Sequence, residues 1–226
     1  MDILKVVCLM FFIAHVYGIS TRRLLTKSMM GNYEKLTIPE GSPLNVTHTL
    51  QLKRLISFDN QVLSLDGYIS MQWRDDQLTW NPDDYEGITI TRIPSSLLWQ
   101  PDILLENNAE EFNGVNSDNI NMVISFDGAV FFIPPVKIKA YCSADNTITY
   151  RYSKVTCTLK FMSWTYDGFS INLEPGPVDT ILADFDADFN KDWRVIEASV
   201  KKNEQKYACC PEPYIDITYT LVLKGR

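Results

Sequence analysis

Apolar and polar residues alternate along most of this chain, which is the pattern of strands that bury one face. In "GYISMQW" two sets alternate, Ile69, Met71, Trp73 and Tyr68, Ser70, Gln72. In "YIDITYTLVL" the same spacing puts five side chains on one face: Ile215, Ile217, Tyr219, Leu221 and Leu223. A period of two predicts half-buried β-strands. Asp127-Gly128 stands between two β-rich runs in "NMVISFDGAVFFI" and predicts a two-residue hairpin.

One segment near the N-terminus departs from this period. In "TRRLLTKSMMGNYEKL" four residues recur at helical spacing, namely Leu24, Leu25, Ser28 and Met29. Gly31-Asn32 follows them as a stop signal. With 226 residues, of which 46% are hydrophobic, the chain suits one large β domain. The predicted fold class is all-β, an immunoglobulin-like β-sandwich of about ten strands with a short N-terminal α-helix.

The start of the chain has the composition of a secretory signal peptide. Lys5 precedes an apolar run that ends at Val16, and Val16 and Gly18 are small enough to precede a cleavage site. This run is shorter than the roughly 20 residues that span a membrane, and no run of that length follows it. We therefore expect a signal peptide at residues 1–18, a secreted extracellular domain at residues 19–226, and no membrane span in this chain.

Four cysteines remain once Cys8 is removed with this leader: Cys142, Cys157, Cys209 and Cys210. An oxidising compartment favours their pairing, and four cysteines allow three connectivities. Adjacent cysteines are unusual partners, because neighbouring Cα atoms lie about 3.8 Å apart and disulfides usually need about 4.4–6.8 Å. Asn45-Val46-Thr47 is an N-glycosylation sequon, which is consistent with secretion.

Charge and composition restrict the chemistry. The net charge of −7 argues against nucleic acid and anionic membranes as partners, and it is compatible with a cationic ligand. His48 is the one histidine after the leader, which argues against a His-rich zinc site and a Ser-His-Asp triad. "ADFDADFNKDW" begins like a calcium loop, but Phe189 and Val195 stand where glycine and glutamate are needed. We expect no metal, no cofactor and no catalytic residue, hence a binding protein and not an enzyme.

Four segments together resemble the ligand-binding domain of the Cys-loop pentameric receptors. They are "NQVLSLDGYISMQW", "LWQPDILLENNAEE", "LKFMSWTYDG" and "YACCPEPYIDITYT", and their order and separation also match. The likeness is nearest to the nicotinic branch and its soluble relatives, the acetylcholine-binding proteins, and it covers about residues 22–226. It implies the disulfides Cys142–Cys157 and Cys209–Cys210. The second would stiffen the tip of a hairpin flap, loop C, which closes over a ligand between two subunits of a homopentamer.

The resemblance also assigns residues to the two faces that would meet between subunits. The principal face would use Trp164 of loop B, the loop A position Glu106, and Tyr207, Cys209, Cys210 and Tyr214 of loop C. The complementary face would use Tyr68 of loop D, Asn121, Val123, Phe131 and Ile133 of loop E, and loop F around Asp184 to Asp188. Lys160, Tyr207 and Asp216 match a polar trio that couples the flap to the domain body. A cationic amine is drawn to aromatic faces, which suits such a pocket.

Three features depart from the family pattern. Glu106 stands where loop A supplies a tyrosine, and Tyr68 stands where loop D supplies a tryptophan. We therefore expect the usual nicotinic agonists to bind weakly. Between Cys142 and Cys157 the polar "YRYSKVT" replaces the apolar Phe-Pro-Phe segment that faces the membrane domain in the receptors.

The site residues also have structural alternatives. These are sandwich core for Trp164, hairpin surface for Tyr207 and Tyr214, and core for one of the pairs Phe131/Ile133 and Val130/Phe132. The polar loop and the lack of a span favour a secreted, soluble homopentamer of the acetylcholine-binding-protein type. The alternative within the same fold is the extracellular domain of a ligand-gated cation channel subunit. Outside it stand a secreted β-sandwich enzyme with paired carboxylates and an adhesive module without a small ligand.

Overall fold

The structure is a computed structural model that describes residues 20–41, 43–110, 120–142 and 154–226. The leader expected at residues 1–18 lies outside the described residues, as does most of the segment between the first two paired cysteines. The predicted N-terminal helix is confirmed as α1 (Thr21–Met30). It buries Leu25 and Met29 but leaves Leu24 46% exposed, so its apolar stripe is narrower than the spacing predicted.

Eleven strands follow α1 within the described residues. They are β1 (Leu44–Asp59), β2 (Val62–Thr79), β3 (Ile90–Pro94), β4 (Ile103–Leu105), β5 (Asn121–Ser125), β6 (Asp127–Phe132), β7 (Pro135–Tyr141), β8 (Lys154–Ser163), β9 (Ile171–Pro175), β10 (Trp193–Lys206) and β11 (Pro213–Gly225). A seven-stranded sheet has the order β3-β5-β6-β2-β1-β9, with β7 also paired to β2. A four-stranded sheet has the order β10-β11-β8-β4. The predicted β-sandwich is confirmed.

The two sheets bury the faces that the period of two predicted. Ile69, Met71 and Trp73 of β2 are all buried. On β11 the buried side chains are Ile217, Tyr219, Leu221 and Leu223, and Ile215 packs at the edge of the core. The alternation therefore located both faces of these strands correctly.

A buried polar contact joins the two sheets at His48 of β1. Its ring centroid lies 4.7 Å from that of Phe161 of β8, and its Nδ1 lies 2.9 Å from the hydroxyl of Tyr219 of β11. That hydroxyl accepts from the Leu50 amide and donates to the His48 carbonyl at 2.8 Å, so its single hydrogen is used and Nδ1 carries the ring proton. Nε2 is then the unprotonated nitrogen, in agreement with its lack of a partner among the described residues. Burial lowers the pKa of His48 to about 3.

The predicted hairpin is formed by β5 and β6, but its turn is wider than two residues. The last paired residues are Ile124 and Val130. Gly128 has a φ of 87°, a conformation that favours glycine. The turn is wide because the backbone amide of Phe126 donates to the Thr89 carbonyl at 2.9 Å and does not pair across the hairpin.

A β-bulge interrupts the pairing of β1 with β2. Leu52 pairs with Gly67 and Arg54 pairs with Asp66, so Lys53 is the extra residue between them. A Cβ at Gly67 would lie 2.2 Å from a backbone carbonyl oxygen of β1, and only glycine fits there. Bulges of this kind change the direction of a side chain.

Both disulfides that the resemblance implied are present. Cys142–Cys157 joins the end of β7 to β8, with its Cα atoms 4.8 Å apart. Cys209–Cys210 lies at the tip of the β10–β11 hairpin. Most of "YRYSKVT", the polar segment compared with the receptors, lies outside the described residues.

The sequon asparagine Asn45 is exposed on β1, where its Oδ1 accepts a hydrogen bond from Asn172 at 2.7 Å. Its glycosylation stays a prediction. Across the described ranges, no helix has the length and apolar character needed to cross a membrane.

Candidate ligand-binding site

Trp164 directly follows β8 and is 66% exposed, so the core alternative for this residue is wrong. Asp102 fixes the loop that carries it. One carboxylate oxygen of Asp102 accepts from the Ser163 hydroxyl, and the other accepts from the amide and the hydroxyl of Thr165, both at 2.7 Å. The Trp164 amide donates to the Asp102 carbonyl at 3.2 Å. A single carboxylate beside the short strand β4 therefore holds the segment that presents the indole to solvent.

The β10–β11 hairpin carries the second aromatic group. Its last paired residues are Lys206 and Pro213, so the tip is the segment 207–212 with the vicinal disulfide. The rings of Tyr207 and Tyr214 meet edge to face with their centroids 5.4 Å apart, and Tyr207 is 50% exposed. These tyrosines therefore form an aromatic pair where the two strands meet the tip of the flap.

The register of β11 and β8 relates this pair to Trp164. Asp216 pairs with Met162 in the antiparallel ladder. Tyr214 lies two residues before Asp216 and Trp164 lies two residues after Met162, so both are at the same end of this strand pair. Loops B and C thus bring aromatic side chains to one end of the four-stranded sheet.

Glu106, at the changed loop A position, forms an ion pair with a lysine of its own chain. Lys160 Nζ lies 2.8 Å from Glu106 Oε2 and 3.8 Å from Asp216 Oδ2. The hydrogen bond with Glu106 raises the pKa of Lys160, with further contributions from Asp216 and Tyr207. Because the carboxylate of Glu106 already has a cationic partner, its attraction for a ligand ammonium is reduced.

Asp216 forms a polar cluster at the base of the flap. It is buried, and its Oδ1 accepts from Asn203 Nδ2 at 2.7 Å and from the Thr218 hydroxyl at 2.8 Å. Two of these residues, Asn203 and Thr218, were missed by the sequence analysis. The available signal was the polar face Asp216/Thr218 in "YIDITYT", which alternates with the core residues.

The complementary residues predicted for loop E point outward. Val130 and Phe132 are buried, whereas Phe131 is half-buried and Ile133 is 50% exposed. The structure therefore decides between the two pairs, and Val130/Phe132 is the core pair. Phe131 pairs with Val123 of β5, and Asn121 of the same strand is exposed.

Tyr68 lies on the face of β2 opposite to its buried side chains, as the alternation predicted. A cleft of about 650 Å³ opens beside it, between β1, β2, β7 and loop F. The cleft is lined by Lys53, Arg54, Asp66, Gly67, Tyr68, Pro135, Val136, Lys137, Asp184 and Asp186. Lys53 Nζ lies over the Tyr68 ring, 5.5 Å from its centroid.

The three loop F aspartates do not converge on a common point. Asp184 pairs with Lys53 at 3.0 Å, and Asp188 pairs with Arg226 at 3.1 Å. No group of residues that could hold a metal ion is found in the described part of the chain. Loop F is therefore an acidic loop tied to its own chain by ion pairs.

The predicted site residues fall on the two sheets in two sets. The principal set follows β4 and β8 or lies on the β10–β11 hairpin, all in the four-stranded sheet. The complementary set, apart from loop F between β9 and β10, lies on β2, β5 and β6 or directly after β6, in the seven-stranded sheet. The sequence analysis missed Asp102, which contacts the principal set, and Lys53, which contacts the complementary set. The glycine inside the β2 run was an available signal for the bulge that positions Lys53.

An exposed tryptophan and a tyrosine pair at one end of a two-sheet β-sandwich, beside a flap with a vicinal disulfide, define a ligand-binding domain of the Cys-loop type. The sequence profile of the neurotransmitter-gated ion-channel ligand binding domain matches residues 22–226. This chain belongs to that family.

Its relatives are subunits of acetylcholine receptors. The chain is 36% identical over 207 residues to neuronal acetylcholine receptor subunit alpha-10 of Homo sapiens, covering 89% of this chain and 45% of that protein. It is 35% identical over 227 residues to acetylcholine receptor subunit alpha-1-B of Xenopus laevis, covering 96% of this chain and 49% of the relative. It is 32% identical over 224 residues to acetylcholine receptor subunit alpha-type acr-16 of Caenorhabditis briggsae, covering 97% and 44%. The chain thus spans slightly less than half the length of these relatives.

Proposed function

We propose that this chain binds a small cationic amine at the interface between two copies of itself. The observation that carries this proposal is the exposure of Trp164 on a loop fixed by Asp102, at the same end of the β8–β11 pair as Tyr214 of the flap. An ammonium group is attracted to aromatic faces by about 0.5–2 kcal/mol per ring. Large, exposed aromatic side chains on a loop that hydrogen bonds hold in place are typical of binding sites.

The proposed pocket requires two subunits. The principal and complementary sets lie on different sheets of one chain, and a head-to-tail arrangement would bring the first set of one copy against the second set of the next. A ring of five copies, a homopentamer, is the assembly that the family resemblance implies. This arrangement also has no need of a catalytic residue, and we propose a binding function without enzymatic activity.

Between the two forms of this fold, we propose the extracellular domain of a ligand-gated channel subunit. The acetylcholine receptor subunits to which the chain is similar support this form over the secreted acetylcholine-binding-protein type. Sequencing of the full-length transcript tests this choice. A reading frame that continues past Arg226 into apolar segments supports the receptor form, and a stop codon directly after Arg226 contradicts it.

Calorimetry tests the binding function itself. Acetylcholine and nicotine are titrated into the purified protein, whose mass is measured by light scattering. We expect saturable binding at about one ligand per chain in a particle of about five chains. We also expect weak affinities, because two aromatic walls are changed and Glu106 is paired with Lys160. A stable monomer, or saturable binding that is insensitive to Trp164→Ala, would contradict the proposed pocket.

A further inference from the structure

We propose that Lys53 is a tethered cation that covers the ring of Tyr68 and must be displaced before that ring can contact a ligand ammonium. The inference deepens the proposed function and rests on it, since it concerns the complementary half of the same pocket. It assigns a specificity-determining role to a residue outside the two predicted sets.

The position of Lys53 follows from the backbone. Lys53 is the extra residue of the β1–β2 bulge, opposite the glycine that lets the two strands approach. The bulge directs the side chain along the sheet surface toward Tyr68. The 5.5 Å between Nζ and the ring centroid lies within the range of about 6 Å for a cation–π contact.

Loop F holds the ammonium in that position. Asp184 Oδ2 accepts from Lys53 Nζ at 3.0 Å and from Gln51 Nε2 at 2.8 Å. The Asp186 amide donates to the Lys53 carbonyl at 2.8 Å, so loop F bonds to both the backbone and the side chain of the bulge residue. Lys53 therefore has a carboxylate on one side and an aromatic ring nearby.

In this arrangement the ammonium group of Lys53 competes with a ligand cation for the Tyr68 ring. A ligand cation that approaches the Tyr68 ring meets a like charge at the same ring, and it gains the ring only when Lys53 withdraws. Withdrawal loses the contact with the ring and strains the ion pair with Asp184. The tethered lysine thus lowers the affinity for simple ammonium ligands, in addition to the effect of the changed loop A position.

The test is Lys53→Met, which removes the charge and keeps a flexible apolar chain of similar length. We expect tetramethylammonium and acetylcholine to bind about three- to thirtyfold more tightly, the factor that corresponds to one cation–π contact. Lys137→Met is the matched control, because Lys137 is exposed in the same cleft. If both variants gain affinity equally, the effect is general charge removal and the assignment to Lys53 is wrong.

Repeating the Lys53→Met comparison in a variant that lacks the Tyr68 ring separates the ring contact from other effects. In Tyr68→Leu the gain from Lys53→Met should fall to the level of the Lys137→Met control, because the ring is absent. An undiminished gain in that background overturns the inference. Binding that depends on Trp164 but is unchanged by Lys53→Met rejects the tethered cation and leaves the proposed function intact. Absence of saturable binding in wild type, Lys53→Met and Glu106→Tyr alike rejects the proposed function and the inference with it.

Discussion

The two halves of the proposed pocket differ in where their charged residues stand relative to the aromatic rings. On the principal half, Asp102 lies behind the loop of Trp164 and leaves that residue 66% exposed. On the complementary half, Lys53 lies over the face of Tyr68. A charged residue behind a loop fixes an aromatic side chain for binding, whereas a charged residue at the ring face occupies the surface that a ligand would use.

The partners of Lys160 and Lys53 show the same difference between the two halves. Lys160 on the principal half pairs with carboxylates, Glu106 and Asp216, at the changed loop A position. Lys53 on the complementary half pairs with Asp184 and also with a ring. Both positions that depart from the family pattern are therefore in contact with an ammonium group of the same chain, and both departures should weaken the binding of a simple cation.

The largest expected effect is loss of the principal indole. Trp164→Ala should weaken acetylcholine binding about thirtyfold or more, since it removes a cation–π contact of up to about 2 kcal/mol together with apolar contact area. The free energy of unfolding should change by less than about 0.5 kcal/mol, because the residue is exposed. Calorimetry and thermal melting measure the two effects. Phe126→Ala, an exposed aromatic at the β5–β6 turn, is the control and should bind like wild type.

The second effect tests the buried contact between the two sheets that carry the two halves of the pocket. His48 of β1 contacts Phe161 and Tyr219 of the other sheet, and burial lowers its pKa to about 3. The pKa of His48 in the folded protein lies below its ordinary value of 6.5. Its contribution to the free energy of unfolding is therefore fully present above pH 6.5, and it is lost as the pH falls from 6.5 toward 3. At about 1.4 kcal/mol per unit, the free energy of unfolding should drop by about 2 kcal/mol between pH 6.5 and 5.

Denaturant titration at several pH values checks this dependence. Burial raises the pKa of Asp75, so its contribution has the opposite sign and cannot produce a loss on acidification. In His48→Gln the drop between pH 6.5 and 5 should disappear. An equal drop in wild type and in this variant would mean that the junction between the sheets does not titrate as described.

A smaller effect is expected from the residue that fixes the principal half. Asp102→Ala leaves the donors on Ser163 and Thr165 without their acceptor, and it should cost about 1.5 kcal/mol of stability. Acetylcholine binding should weaken about tenfold, since the loop of Trp164 loses its fixed position. The control is Asp167→Ala, whose carboxylate accepts two backbone hydrogen bonds further along the same loop. Equal losses of binding in both variants would show that Asp102 has no special role in holding the indole.

The smallest effect concerns loop A. Glu106→Tyr should strengthen acetylcholine binding about three- to tenfold, because a ring face replaces a carboxylate that is already paired with Lys160. Glu110→Gln is the matched control, since it breaks the salt bridge of Glu110 with Lys139 without adding a ring. Wild-type binding as tight as that of Glu106→Tyr would mean that Glu106 is no handicap.

The sequence predicted the parts of this molecule that depend on local pattern. The period of two placed Tyr68 on the outward face of β2, and the cysteine pair with its tyrosines located the flap. The exposure of Trp164 was undecided from spacing alone, because a tryptophan after a strand suits both a core and a pocket. It was decided by Asp102, which lies far away in the sequence.

The contacts of the charged residues could not be predicted, because they join distant segments. Lys53 meets loop F, more than a hundred residues later, through a bulge whose register no periodicity encodes. Glu106 meets Lys160 because β4 pairs with β8, and β4 has only three residues. A strand that short has no periodic signal, so its partner is set by tertiary packing.

Co-assembly of two defective chains tests most directly whether the pocket is shared between subunits. Trp164→Ala removes a principal residue, and Ile133→Arg places a cation on the complementary face at an exposed position. Each variant alone should bind acetylcholine about thirtyfold or more weakly than wild type. In mixed pentamers about a quarter of the interfaces join an intact principal face to an intact complementary face, so binding should return at about that stoichiometry. Full binding by Ile133→Arg alone, or no recovery in mixed assemblies that are shown to be pentameric, would contradict a site between subunits.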